Sequence, residues 1–309
     1  MARRVIEHTL RRQVAAIANV TFRSQCRVVA IAPDAIRPMI RYENVAGALA
    51  VLEADFVVDA SGRGAPTLGL LDVLGWERPL ETVVGVNISY TTAVLRRADI
   101  SSDAKMLTTL PDPAISALAA VVMPIEGRRW LVSIAQHGAT DRPQTWEDFL
   151  ALARQLNTQT IYDSICGVPR PDGLKHFVFD ESRWRHFEQL EKVQRGILPV
   201  ADSLCRFNPI YGQGMSVAAL EAKLLRDIMD RVGGEADPIE AMQSEFMSKV
   251  GSVLQAPWNR ASALISPIPP RGANARSGTK RAGNSRRLCS ELSRLIRWFR
   301  GRFRTSCNS

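Results

Sequence analysis

The stretch from Ile197 to Met229, ILPVADSLCRFNPIYGQGMSVAALEAKLLRDIM, constrains the fold more than any other part of the chain. Ile197-Leu198-Pro199-Val200-Ala201 is a short apolar run ending at Asp202, the pattern of a buried strand. A polar loop follows, carrying Asn208-Pro209 and the turn Gly212-Gln213-Gly214. From Ser216 onward, Val217, Leu220, Leu224, Leu225 and Ile228 recur at helical spacing. The spacing predicts a carboxylate at the C-terminal edge of a strand and a glycine loop feeding a helix N-terminus. A sugar hydroxyl suits the carboxylate. An anion suits the helix start, where unpaired N–H groups and the positive end of the helix dipole coincide.

The same stretch resembles the second flavin fingerprint of the p-hydroxybenzoate-hydroxylase-like FAD oxidoreductases and monooxygenases, a family close to the geranylgeranyl-reductase-like flavoproteins. That fingerprint reads roughly G-D-A-x-H/C-x-x-x-P-x-x-G-x-G-x-x-x-A-x-x-D/E-A. Here Ala201, Asp202, Ser203, Cys205, Pro209, Gly212, Gly214, Ala218, Glu221 and Ala222 stand in register, with Ala201 in place of the usual glycine. The resemblance implies that Asp202 bonds the ribitol or ribose region of FAD. It also implies that the loop of Pro209, Gly212, Gln213, Gly214 and Met215 faces the pyrimidine edge of the isoalloxazine. Amides and a helix dipole there would stabilise negative charge on reduced flavin.

Two upstream stretches carry the resemblance further. Val57 to Gly64, VVDASGRG, matches the V-V-D-A-S-G-R-G-S turn of one branch of the family, with Ala65 where Ser is usual. The resemblance places Ser61, Gly62 and Arg63 along the diphosphate side of the site. Arg3-x-x-Ile6-Glu7-x-x-Leu10-Arg11 resembles the family's R-x-x-L-E-x-x-L-R helix, whose first arginine, here Arg3, approaches the pyrophosphate. Family members open with strand-G-x-G-x-x-G-helix, and nothing of that kind stands before Arg3. The expectation is therefore an α/β, FAD/NAD(P)-binding, three-layer ββα fold that lacks its first βαβ unit and carries an inserted antiparallel substrate sheet. Residues 1–82 and 175–256 would form the FAD-binding part and residues 83–174 the substrate sheet with its helices. FAD would be held weakly or lost, and NAD(P)H is the candidate co-substrate.

Periodicity supplies the remaining elements. Arg3 to Ile17 reads as a helix, and Asn19–Phe22, Cys26–Ala32, Ile36–Tyr42 and Ala48–Leu52 as the strands of a meander. Phe56–Ala60 reads as a buried strand, and Val83–Leu95 alternates as a half-buried strand does. Met106–Leu110, Ala119–Ile125 and Trp130–Ala135 extend that sheet, with a hairpin turn at Glu126-Gly127-Arg128-Arg129. Gln144–Leu156 and Thr158–Cys166 read as helices, Leu174–Asp180 as a return strand and Ile239–Leu254 as a last helix. Trp184 is expected to pack and Arg183 and Arg185 to be solvated. No side chain stands out as a catalytic acid or base.

Charge location limits the function classes. Of 40 Lys+Arg and 31 Asp+Glu, 12 bases and the single acid Glu291 lie from Pro257 to Ser309, leaving 28 bases against 30 acids before it. The body is near neutral, which does not support a nucleic-acid partner. The Arg/Ser/Gly/Pro-rich segment 257–309 reads as a basic, disordered tail. Within it residues 288–303 could form a basic amphipathic helix that meets an anionic membrane surface; the rival reading is an out-of-frame extension. Five cysteines without a C-x-x-C pair and four scattered histidines give no metal spacing and fit a reducing cytoplasm. No apolar run reaches the length of a membrane span or of a signal-peptide core. The favoured reading is an FAD-dependent oxidoreductase acting on an apolar or aromatic small molecule. The alternative is a non-catalytic remnant, or a binding module acting through the basic tail.

Overall fold

The computed structural model describes residues 3–33, 37–96, 105–111, 116–138 and 141–263. Most of the tail, with the candidate helix 288–303, lies outside the described residues. Helix α1 (Arg3–Ala15) is followed by the antiparallel meander β1 (Arg27–Ala32), β2 (Met39–Glu43) and β3 (Leu49–Glu53). Asn19–Phe22 forms no strand. Its β-branched and aromatic residues find no ladder partner there, and Val20 and Phe22 are exposed.

Strand β4 (Val57–Asp59) then runs parallel to β10 (Ile197–Pro199), pairing Val57 with Ile197, Val58 with Leu198 and Asp59 with Pro199. Between these two strands in the chain lies most of a six-stranded sheet. It contains β5 (Glu81–Arg96), β6 (Leu107–Thr109), β7 (Leu118–Ile125), β8 (Arg129–His137), β9 (Lys175–Arg185) and β11 (Cys205–Arg206), in the order β11-β9-β5-β8-β7-β6. Every neighbouring pair in it is antiparallel. Helices α3 (Trp146–Ala153) and α4 (Thr160–Ile165) share one core with this sheet, built around Val122, Val132, Ile134, Phe149 and Ile165.

Strand β9 outruns its expected end at Asp180. Residues 181–185 contain neither proline nor glycine and pair with residues 81–85, so Arg185 stands opposite Glu81. Helix α2 (Pro66–Leu74) is an element that the hydrophobic periodicity did not single out. Its signals are terminal: Pro66 opens it, and Gly75 closes it in the left-handed conformation at φ 65°.

Two long helices finish the described chain, α5 (Gly214–Val232) and α6 (Pro238–Ala263). The expected start of the tail, Pro257, lies inside α6. An interior proline costs a helix roughly 3 kcal/mol. Beyond it, however, Trp258 is 6 % and Ala261 1 % exposed, and the Trp258 ring meets Trp184 and Phe207 edge-on at 5.7 and 6.2 Å. A buried tryptophan is worth about 3–5 kcal/mol against alanine, enough to carry the helix past the proline. The packed body therefore extends beyond residue 256.

Strand β10 is clamped at its start. Gly196 has φ 79°, and a Cβ there would stand 2.9 Å from the Asp55 carbonyl oxygen, so only glycine suits the position. The buried Gln243 of α6 accepts the Gly196 N–H at 2.9 Å and donates to the carbonyls of Gln194 and Ile197 at 2.8 and 3.0 Å. These contacts fix the level at which β10 delivers the residues after it.

Candidate functional site

The C-terminal ends of β4 and β10 lie side by side, and the first carboxylate of interest there is Asp59, which is 4 % exposed. Its Oδ1 accepts the Ser61 N–H at 3.0 Å and the hydroxyls of Ser61 and Ser203 at 2.7 and 3.2 Å. Its Oδ2 accepts the N–H and hydroxyl of Thr67 at 3.2 and 2.6 Å. Burial alone would raise the pKa of Asp59, but the hydrogen bonds from Ser61 and Thr67 outweigh it and hold the group below the ordinary aspartate value. Asp59 is thus an internal brace, fully engaged by the turn it shapes.

That brace joins the two turns named from sequence. The Gly62 N–H donates to Ser203 Oγ at 2.7 Å, and the Val200 N–H to the Asp59 carbonyl at 3.0 Å. Gly62 has φ 68°, and a Cβ there would lie 3.5 Å from Asp202 Cβ. Ser61 and Arg63 are exposed beside it, and so is the Asp202 carboxylate. Ser61, Gly62, Arg63 and Asp202 therefore border one patch of surface, although residues 61–63 and 202 are far apart in the chain. From β9 of the six-stranded sheet, Arg185 donates to the Ser203 carbonyl at 2.9 Å and pairs with Glu81 at 3.1 Å. Arg183 pairs with Glu81 and Glu181. The expectation of solvated arginines is corrected: both side chains are paired, and that of Arg185 is only 12 % exposed. Trp184 packs in the core as expected, at 4 % exposure.

Ala201, in the usual glycine position, adopts φ 52°. A left-handed alanine costs about 1–2 kcal/mol, so the turn is held from outside. The holder is Glu221 of α5, whose Oε2 accepts the Ala201 N–H at 2.6 Å. Glu221 is 1 % exposed and its Oε1 has no partner among the described residues. Burial pushes its pKa up to about 7; the Ala201 N–H works against that shift and the Asp202 charge adds to it. Periodicity missed this residue, since a glutamate on a helix reads as solvent-facing. The acidic position of the fingerprint was the available signal.

The loop into α5 forms the other side. Asn208 is fully buried, and its Oδ1 accepts the Ile210 N–H and the Tyr90 hydroxyl, each at 3.1 Å. Pro209 begins a short 3-10 turn closed by Gly212 at φ 61°, whose N–H donates to the Pro209 carbonyl at 2.9 Å. Gln213 precedes Gly214 and Met215, the first residues of α5, and a Cβ at Gly212 or Gly214 would meet nothing within 4 Å. Over this loop lies an apolar cluster of Val86, Ile88, Ala119, Ala135 and Phe179, joined by Tyr90 and by Ile210 of the loop itself. The Arg206 guanidinium stacks 4.3 Å from the Phe179 ring centroid. Burial and the nearby Arg63 lower its pKa from the usual arginine value.

The remaining candidate and a separate cleft stand apart. Arg3 opens α1, but its side chain lies outside the described residues. A cleft of about 360 Å³ is lined by Gln136, Asp141, Arg142 and residues of α3, with none of the fingerprint positions among them. Among the described residues no group of His, Cys, Asp or Glu is arranged to hold a metal ion, and no helix is long and apolar enough to cross a membrane.

These residues fit a flavin. An exposed carboxylate, glycines with open space above them and a 19-residue helix beginning at the loop are the features such a group requires, and the buried amide nitrogens of Asn208 and Gln213 lack partners among the described residues. Known structures share the fold. The chain superposes on p-nitrophenol 4-monooxygenase PnpA from Pseudomonas putida with a TM-score of 0.59 at 17 % identity, covering 86 % of this chain and 63 % of that one. It superposes on the flavin-dependent brominase Bmp2 with a TM-score of 0.64 at 15 % identity, over 86 % and 65 % of the two chains. With Klebsiella pneumoniae HpxO, solved with FAD and uric acid, the values are 0.52 and 14 %, over 80 % and 59 %. The fold is that of the FAD-dependent monooxygenases. It is the α/β FAD-binding architecture with an antiparallel sheet that the fingerprint implied. No family model matches the chain. By sequence, Protein Rv3254 of Mycobacterium tuberculosis is 30 % identical over 236 residues, 72 % of this chain and 48 % of that protein. The chain spans about half the length of this curated relative.

Proposed function

We propose that this chain forms the flavin-facing and substrate-facing part of an FAD-dependent oxidoreductase acting on a planar, apolar or aromatic small molecule. The observation that carries the reading is the meeting of the Ser61–Arg63 turn with Asp202 at the ends of the parallel strands, tied through Gly62, Ser203 and Asp59. Asp202 would accept hydroxyls of the ribityl or ribose portion. Gly62 and its neighbours would give the diphosphate side a close backbone approach. Gly212 to Met215 and the start of α5 would favour the electron-rich reduced ring. FAD, once bound, supplies the redox chemistry; the side chains of this chain bind, orient and exclude water.

The apolar roof of Tyr90, Ile88 and Phe179 supports an aromatic substrate. PnpA acts on p-nitrophenol and HpxO was solved with uric acid, both planar rings bearing oxygen. NAD(P)H remains the candidate reductant. Equilibrium dialysis of the purified chain against FAD tests the reading directly. Saturable uptake supports it, and no uptake at millimolar FAD contradicts it.

A further inference from the structure

We infer that the side-chain amide of Asn208 donates a hydrogen bond to an oxygen acceptor, a carbonyl or phenolate oxygen, of a molecule held between the fingerprint loop and the roof sheet. The inference rests on the flavin reading and deepens it. Asn208 is 0 % exposed, and its Oδ1 already accepts from the Ile210 N–H and the Tyr90 hydroxyl. A backbone N–H can only donate, so the atom facing Ile210 must be the oxygen, and the amide cannot be flipped. Its –NH₂ group is thereby fixed at the opposite corner, where it has no partner among the described residues.

Burying an amide donor without an acceptor is unfavourable, and the local fold does not require it. An aspartate would offer the same oxygen to Ile210 and Tyr90. The nitrogen is thus the feature of Asn208 that packing leaves unexplained. Gln213, at the other end of the same loop, also buries an Nε2 without a partner among the described residues. The other partnerless donors differ in setting. Ser89 and Ser182 are strand hydroxyls, and the Trp130 and Trp184 N–H groups lie within core clusters. A loop that gathers free donors just before a helix N-terminus suits a ligand that presents acceptors.

The second donor to the Asn208 oxygen comes from the six-stranded sheet. Tyr90 belongs to β5 and lies 6.1 Å from the Phe177 ring, while Asn208 belongs to the loop. A ligand reaching the amide therefore lies where sheet and loop meet. Two sources offer the same acceptor chemistry there: the pyrimidine-edge carbonyls of the flavin, or an oxygen on the substrate.

The test uses the full 309-residue chain with Asn208→Asp, Asn208→Ala and Tyr90→Phe. Asn208→Asp keeps the oxygen toward Ile210 and Tyr90 and replaces the donor with an acceptor. Thermal melts establish that each variant is folded, and Asn208→Ala replaces Asn208→Asp if the buried charge prevents folding. Riboflavin binding is followed by fluorescence quenching, and 4-nitrophenol binding by difference absorbance with and without FAD. If the flavin is the acceptor, Asn208→Asp weakens riboflavin about tenfold or more, and Tyr90→Phe, which removes one of the two donors to the Asn208 oxygen and leaves the Ile210 N–H in place, weakens it less. If the substrate is the acceptor, riboflavin binds as in wild type and 4-nitrophenol is weakened by that amount. Both probes binding every variant within twofold of wild type would overturn the inference and leave the flavin reading standing. Wild type binding neither probe would overturn both.

Discussion

Glu221→Gln offers a test of how the Asp202 turn is held, because glutamine keeps an oxygen for the Ala201 N–H and removes only the titrating charge. The folded-state pKa of Glu221 is raised from 4.5 to about 7, with burial the leading cause. The sign follows from linkage. A carboxyl whose folded pKa exceeds its unfolded value favours the protonated native state. Its contribution is fully present below pH 4.5 and is lost as pH rises through about 7. At about 1.36 kcal/mol per pKa unit, ionising Glu221 in place costs roughly 3 kcal/mol above that window. Urea denaturation of wild type and variant across pH 4.5 to 8 measures the difference, in which most other titrations cancel. The variant is expected to match wild type near pH 4.5 and to exceed it by up to roughly 3 kcal/mol at pH 8. A difference that does not change with pH would refute the reasoning. A variant less stable at pH 8 would show that the turn needs the charge.

Three further outcomes follow from packing and backbone. Trp258→Ala is expected to cost about 3–5 kcal/mol in chemical denaturation, and a chain ending before Pro257 to lose stability by a similar amount; an unchanged melting temperature in either would place Trp258 outside the core. Ala201→Gly is expected to gain up to about 1 kcal/mol, since relieving a left-handed alanine (about 1–2) outweighs the extra unfolded-state entropy of glycine (about 0.4–1); a loss on thermal denaturation would mean that the turn is not strained. The 309 residues contain no G-x-G-x-x-G turn, so the chain is expected to purify without stoichiometric flavin. A fused βαβ unit bearing that turn should raise FAD affinity by orders of magnitude, because a helix N-terminus and close backbone contacts to a diphosphate are together worth several kcal/mol, about 1.4 kcal/mol per decade. A yellow protein with one flavin per chain would contradict that expectation.

What could be read from sequence was local pattern. The run at Ile197–Pro199 and the buried face of α5 at Val217 and Ile228 followed from apolar spacing, which reports burial directly. The same spacing misplaced Leu220, which is 50 % exposed, because periodicity finds a face but not the extent of what covers it. Asn19–Phe22 failed because strand propensity needs a partner that the sequence does not name. The brace at Asp59 was out of reach, since a carboxylate after a strand looks the same whether it binds a ligand or its own turn. Arg183 and Arg185 were misjudged for a related reason: their partner Glu81 lies about a hundred residues away, opposite them only once β5 and β9 are in register. The tail composition that begins at Pro257 does not mark where packing stops, because one buried side chain, Trp258, carries α6 past that point.

The central claim is that Asp202 and the Gly62 turn form a flavin site, and a paired FAD titration tests it most directly. Wild type and Asp202→Ala would be titrated with FAD by fluorescence quenching, alongside thermal melts of both. Asp202 is exposed, so the substitution removes ligand contacts while leaving the buried Asp59 and Glu221 braces in place. The expected result is saturable binding by wild type, weakened at least about tenfold in Asp202→Ala with the melting temperature nearly unchanged. Equal FAD affinity in the two proteins, or an Asp202→Ala chain that unfolds while each folded molecule binds as before, would contradict the account and make Asp202 a structural cap.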